Sequence, residues 1–222
     1  SFSGRYISNS LLESSSLVNL ETIFLRDCDL TSIPKGLLGL KNLKNLNLMD
    51  NPDLSDISVL KNLKNLENLN LSRTSISSIP RKFSSLKNLK TLWLRGCSKL
   101  TEIKGLKNLQ HLKTIYADGC KLRSIPKNFN TLINLRYLNL SDNIYLSDFT
   151  GIKGLDSLVE IYIESCNIRK IPEEVASLKS LIRINISSNP IKDYSGLLKM
   201  TNLQKLSLPF LIFQKFQKKF RV

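Results

Sequence analysis

Residues 89–100 read LKTLWLRGCSKL, and the spacing L-x-x-L-x-L-x-x-C within them decides the fold. Leu92 and Leu94 alternate with Thr91, Trp93 and Arg95, the period-2 signature of a short strand with one buried face. The same stretch sets a thiol, Cys97, two residues from the Arg95 guanidinium, a neighbourhood that can lower a thiol pKa and make a nucleophile. Reactive site and repeating frame are both open readings of these twelve residues. The rest of the chain separates them.

The first Leu of this spacing recurs at Leu20, Leu43, Leu66, Leu89, Leu112, Leu135, Leu158, Leu181 and Leu203, every step being 23 residues except the last, which is 22. Fixed-period self-similarity of this kind is the sequence mark of a solenoid. A period of 46 is superimposed. Pro34, Pro80, Pro126 and Pro172 stand 46 apart, whereas the intervening repeats carry Asp56, Glu102 and Asp148 instead, also 46 apart. Two repeat types therefore alternate: type A with C-x-L-x-x-I-P, type B with N-x-x-L-x-D-I-x-x-L. One repeat cannot bury its apolar side alone, so the copies must stack on one another. At ~4.8 Å between neighbouring strands, nine rungs span roughly 40 Å.

The pattern resembles the leucine-rich repeat family over residues 17–213. Type A is similar to repeats of plant-type intracellular immune receptors, LRGCSKLTEI at 94–103 included. Type B, with its D-I-x-x-L-K-N-L, is similar to internalin-like repeats of bacterial surface and effector proteins. The resemblance implies an α/β-type solenoid, a horseshoe with a parallel concave β-sheet and short helical or irregular convex turns. It is read as one domain over 1–222: a partial N-terminal rung at 1–16, eight regular repeats at 17–200 and a capping repeat at 201–222. The family's usual role implies a non-catalytic protein-interaction module.

The ninth position of the repeats holds Cys28, Asn51, Thr74, Cys97, Cys120, Asn143, Cys166, Asn189 and Leu211, and all four cysteines are in that column. In the family this slot is a buried ladder whose polar side chains bond the turning backbone; Asn, Thr and Cys are small and each supplies a donor. Cys97 is therefore expected to be structural, and no catalytic residue is assigned. Cysteine spacings of 69, 23 and 46 give no zinc pair, so no metal and no cofactor are expected. His111, the only histidine, is expected in an exposed turn, and Asp56, Glu102 and Asp148 are expected to bond backbone.

Strand alternation turns positions 3, 5 and 7 outward, flanked by 2 and 8. Large exposed aromatics are ordinarily kept off a solvated face. Yet Trp93, Tyr116, Tyr137 and Tyr162 fall on repeats 4 to 7, beside Arg95, Asp118 and Glu164. Trp, Tyr and Arg are the residue types that dominate binding hot spots. Those seven residues form the candidate ligand-binding set for a protein partner on the concave face.

The net charge of +15 raises nucleic acid and acidic membranes as alternative partners. Positions 2, 3, 5, 7 and 8 carry nine basic and eight acidic residues, so the excess lies on the turns, at Lys41, Lys64, Lys87 and Lys179 before strands and Lys35, Arg81, Lys82 and Lys127 after prolines. A nucleic-acid groove would concentrate cations along the binding face, which argues against that partner. Peripheral membrane contact through the turn lysines and the tail, with Lys215, Lys218, Lys219 and Arg221 beside Phe216 and Phe220, is the second reading. Leu211, Phe213, Phe216 and Phe220 are expected instead to plug the end of the core. A structural spacer is the third. Three N-x-S sequons, at Asn70, Asn139 and Asn185, fall on strands rather than loops. With no cysteine-rich caps, this tips the compartment toward the cytoplasm over secretion.

Overall fold

The computed structural model describes residues 17–209. The partial rung at 1–16 and the plug residues Leu211, Phe213, Phe216 and Phe220 lie outside the described residues.

Nine three-residue strands follow one another in a single open parallel sheet, in sequence order throughout. They are β1 (Thr22–Phe24), β2 (Asn45–Asn47), β3 (Asn68–Asn70), β4 (Thr91–Trp93), β5 (Thr114–Tyr116), β6 (Tyr137–Asn139), β7 (Glu160–Tyr162), β8 (Arg183–Asn185) and β9 (Lys205–Ser207). The register advances by one full repeat at each step, so equivalent positions pair: Leu69 with Leu92, Leu92 with Ile115, Ile115 with Leu138. The central residue of each strand from β1 to β8 is buried, and its two neighbours are turned to the open face, as the alternation requires. The expected convex turns are short 3-10 helices in seven of the eight connections between strands, and one turn of α-helix at Glu173–Ala176 in the eighth.

Each strand ends on a left-handed residue. Position 8 of repeats 1 to 8 is Asp27, Asp50, Arg73, Gly96, Gly119, Asp142, Ser165 and Ser188, with φ between 52° and 67° in every case. Glycine reaches this region without strain and Asp adopts it more readily than most. The reversal lifts the chain out of the sheet and turns its carbonyls toward the ninth-position ladder. There Asn143 Nδ2 donates to the carbonyls of Ala117 and Leu140, both at 2.8 Å, while its Oδ1 accepts from Leu122 N at 3.0 Å. Asn51 and Asn189 do the same on their rungs. The core is one continuous stack of Leu and Ile from Ile23 to Met200, with Phe83 and Phe129 filling the space behind type A rungs.

The 46-residue period has its own physical basis. Isolated parallel bridges join Ser32 to Asp56, Ser78 to Glu102, Ser124 to Asp148 and Lys170 to Asp193. Each links a type A rung to the type B rung after it, so the turns pair in dyads behind a sheet that is itself uninterrupted. Asp56, Asp148 and Asp193 accept the backbone N–H two residues on, at 2.8–2.9 Å, which holds their carboxyls below the usual range. Glu102 departs from the expectation: one methylene longer, it pairs with the Lys104 ammonium at 2.7 Å. In the second and third dyads the proline carbonyl of one rung lies on the glycine of the next. A Cβ at Gly151 would stand 2.1 Å from the Pro126 carbonyl oxygen, and one at Gly105 2.3 Å from that of Pro80. Gly39 has open space around the same point.

Gly151→Ala is therefore expected to lower unfolding free energy by about 1–3 kcal/mol through forced separation of the dyad. Gly39→Ala, which meets nothing, should be neutral or raise it by about 0.4–1 kcal/mol. Urea unfolding followed by circular dichroism measures both.

Candidate interaction face

The register that stacks the core also aligns the outward side chains in columns. Trp93 pairs with Tyr116, Tyr116 with Asn139 and Asn139 with Tyr162; one column over, Thr114 pairs with Tyr137 and Tyr137 with Glu160. The aromatic side chains zigzag between the two columns and meet. Trp93 and Tyr116 stack with ring centroids 6.0 Å apart and planes 6° from parallel. Tyr116 and Tyr137 follow at 4.8 Å, and Tyr137 and Tyr162 at 5.2 Å. Four rings form one unbroken row across β4 to β7, half-buried by one another and open above.

Charged groups clamp the row. The Arg95 guanidinium carbon sits 4.2 Å above the Tyr116 ring centroid, and Arg95 Nε lies 3.5 Å from Asp118 Oδ1. A cation over an aromatic face is held by the ring quadrupole. At the far end Tyr162 donates its hydroxyl to Glu160 Oε2 at 2.8 Å and accepts from Arg183 Nη1 at 3.1 Å. Burial raises the Asp118 carboxyl above its ordinary pKa against the pull of Arg95. Burial, with Tyr116 and Tyr162 alongside, pushes the Tyr137 phenol up to about 12. The Tyr137 phenol therefore stays neutral across the physiological range.

Six of the seven residues singled out in the sequence thus touch in one cluster: Trp93, Arg95, Tyr116, Asp118, Tyr137 and Tyr162. Glu164 stands at its border, accepting from Asn185 Nδ2 at 3.0 Å and Ser188 Oγ at 3.3 Å. Glu160 and Arg183, at the outward position 3 of repeats 7 and 8, join the cluster as well; their tie to Tyr162 depends on rotamers that spacing does not specify. The sequon asparagines are structural. Asn70, Asn139 and Asn185 each accept the backbone N–H two residues on, and Asn139 Nδ2 also donates to Asp118 at 3.1 Å.

The thiols belong to the ladder. Cys97, Cys120 and Cys166 donate to the carbonyls of Leu71, Leu94 and Leu140 at 3.1–3.2 Å, and all four cysteines are buried. Desolvation raises the Cys97 thiol and pushes Cys120 and Cys166 up to about 12, the opposite of an activated nucleophile. Cys97 shares a face with neither Trp93 nor Arg95. His111 is exposed, its Nδ1 2.8 Å from the Lys87 carbonyl oxygen. Among the described residues no helix is long and apolar enough to cross a membrane.

Residues 18–62 and 64–108 match the family model for Leucine Rich repeats (2 copies). Those two segments are leucine-rich repeats, and the same rung continues through all nine described strands. Among solved structures the chain is similar to internalin C2 of Listeria monocytogenes, with 28% identity over 91% of this chain and 84% of that one and a TM-score of 0.76. It shares its fold with the leucine-rich-repeat domain of the type III effector XopL (19% identity, 90% of this chain, 79% of that chain, TM-score 0.70). The same holds for a leucine-rich-repeat protein of Leptospira interrogans (23% identity, 90% and 62%, TM-score 0.58). No curated protein sequence matches the chain.

The raised thiols give a direct check on the ladder. In the native protein at pH 8, Cys97 should alkylate more slowly than an ordinary thiol, and Cys120 and Cys166 on the order of a thousandfold more slowly. All should react at once in urea. Peptide mass mapping after a timed iodoacetamide pulse reads the sites; rapid native labelling of Cys97 would restore it as a reactive centre.

Proposed function

We propose that this leucine-rich-repeat solenoid is a non-catalytic protein-interaction module that binds a protein ligand on the open, concave face of its sheet. The leucine-rich-repeat fold is generally a protein-interaction module, and proteins carrying it are typically not enzymes. The reading for this chain is that 1–222 acts as one solenoid unit, with its contact centred on Trp93 and Tyr116. Arg95, Asp118, Tyr137 and Tyr162 complete the centre, and Glu164 lies at its rim.

The observation that carries this reading is the unbroken row of four rings. The fold has no use for it: the core is filled by Leu and Ile behind the sheet, and repeats 2 and 3 place Asn at the same positions and pair just as regularly. Rigid rings with an Arg clamp present apolar area at low entropic cost, the chemistry that anchors protein interfaces. The charge distribution agrees, because the cationic excess on the turns leaves this face nearly balanced and steers a polyanion away from it.

Affinity capture from lysate at moderate salt, comparing wild type with Trp93→Ala/Tyr116→Ala/Tyr162→Ala, tests the reading. A protein retained by wild type should be lost from the variant, at a cost of about 2 kcal/mol or more per central aromatic, while circular dichroism shows both folded. Equal capture by both, or retention of nucleic acid and lipid alone, would overturn it.

A further inference from the structure

The two edges of the open face are not alike around the aromatic row. At the N-terminal edge, position 2 runs Glu21, Lys44, Glu67, Lys90, Lys113, Arg136. The first four alternate in sign and cancel in pairs, Lys44 with Glu21 and Lys90 with Glu67, each at 2.6 Å. Alternation then stops. Lys113 and Arg136, joined through Arg136 N and the Lys113 carbonyl at 2.9 Å, lie side by side with the same charge. At the opposite edge Asp50 is shared by Arg26 and Arg73, at 2.8 and 3.1 Å. Beyond Asp118 the basic partners cease there too: Asp142 and Glu164 are neighbours through Asp142 N and the Glu164 carbonyl at 2.8 Å. Among the described residues, no opposite charge lies within ion-pair distance of Lys113, Arg136, Asp142 or Glu164. Like charges set side by side cost energy that an oppositely charged partner removes. The row is thus bordered by uncancelled cations on one side and uncancelled carboxylates on the other, on the rungs that carry the rings and not on those before them.

We propose that the occupant of this face is an amphipathic helix of a partner protein lying across β4 to β7. Its apolar ridge rests on the four rings, with carboxylates on the flank toward Lys113 and Arg136 and cations on the flank toward Asp118, Asp142 and Glu164. This rests on the open-face reading above and adds the partner's chemistry and direction. The ring spacings of 6.0, 4.8 and 5.2 Å match one helical turn per gap, a pitch of ~5.4 Å. An extended partner repeats its same-face side chains every ~6.6 Å and drifts out of step within the row. Three turns advance ~16 Å, close to the ~14 Å spanned by the four adjacent strands that carry the rings. The two charged edges lie no more than six residues apart along a rung, about 20 Å, so Lys and Glu side chains on a helix of ~10 Å diameter reach both. Because the edges differ in sign, they fix which way the helix runs: swapping its flanks reverses the chain direction and leaves the contacts the same.

The test uses the full chain against displayed helices of about 20 residues with a fixed Leu ridge, the two flanking stripes being randomised to Lys, Glu or Ser. Selection is expected to return helices with one acidic and one basic flank. The surface variant Lys113→Glu/Arg136→Glu should bind those winners about tenfold more weakly and should favour helices basic on both flanks. Selected helices with flanks of one sign or none, or no selected helix at all, would overturn the proposal. The open-face reading is separated by Trp93→Ala/Tyr116→Ala. If that variant loses helices of every flank type, the face holds and only the polarity fails. If it keeps them all, the open-face reading fails as well.

Discussion

In repeats 2 to 8, where the ninth residue is Asn or Cys, that side chain donates to the carbonyl at the sixth position of the rung before, 26 residues back: Asn51 to Leu25, Cys97 to Leu71, Cys120 to Leu94, Asn143 to Ala117, Cys166 to Leu140, Asn189 to Ile163. The left-handed residue at position 8 turns these carbonyls away from the sheet ladder, and burial then denies them water. An unpaired buried carbonyl costs about 1–3 kcal/mol, so the ninth residue has to be a donor small enough to be enclosed. Thr74 shows the constraint by its exception. It bonds its own rung's Leu71 at 2.7 Å, and the same carbonyl also takes the Cys97 thiol. An Asn side chain has an acceptor oxygen beside its two N–H donors, whereas a thiol is a weak donor, which is why the asparagine rungs also tie down backbone N–H groups that the cysteine rungs leave to other partners.

Because the ladder fixes each rung's height and rotation, equivalent residues stack without slippage over nine strands. The backbone is paired within the sheet and the apolar positions are buried behind it, so the outward columns are the part of the repeat left free to vary. Repeats 2 and 3 fill them with Asn. Asn68 donates to Asn45 Oδ1 at 2.7 Å and Asn45 to Thr22 at 2.9 Å, a polar ladder that satisfies itself. Repeats 4 to 7 fill them with rings and uncancelled charge. The same scaffold thus carries one half whose outward side chains satisfy one another and one half that presents rings and unpaired charge.

Much of this was legible in the sequence, because a solenoid repeats its physics. The 23-residue period gives the parallel order, the buried strand centres and the ladder column directly, and alternation puts Trp93, Tyr116, Tyr137 and Tyr162 on one face. The contacts within that face were less legible. Which way Arg95 leans, onto Tyr116 rather than into solvent, and the linking of Glu160 and Arg183 through the Tyr162 hydroxyl, are rotamer choices set by neighbours 21 to 23 residues away. Position 8 reads D, D, R, G, G, D, S, S, and its Gly and Asp content signals a left-handed turn that period-finding alone passes over. The 46-residue alternation was visible, but the contacts behind it were not: the parallel bridges that pair the turns, and in two dyads the proline carbonyl resting on the next rung's glycine, are backbone contacts that only coordinates reveal. Glu102 was read by analogy with Asp56 and Asp148, and one methylene was enough to send it to Lys104.

Trp93 is the only tryptophan in the chain and stands in the aromatic row that the account makes the centre of binding. Labelling with 5-fluorotryptophan gives a single fluorine resonance that reports this position alone. The spectrum is recorded before and after adding protein captured by the unlabelled chain, with association confirmed by sedimentation. The account predicts that the resonance shifts or broadens as the complex forms. A complex that sediments while the resonance stays unchanged would contradict it and place the contact elsewhere on the solenoid.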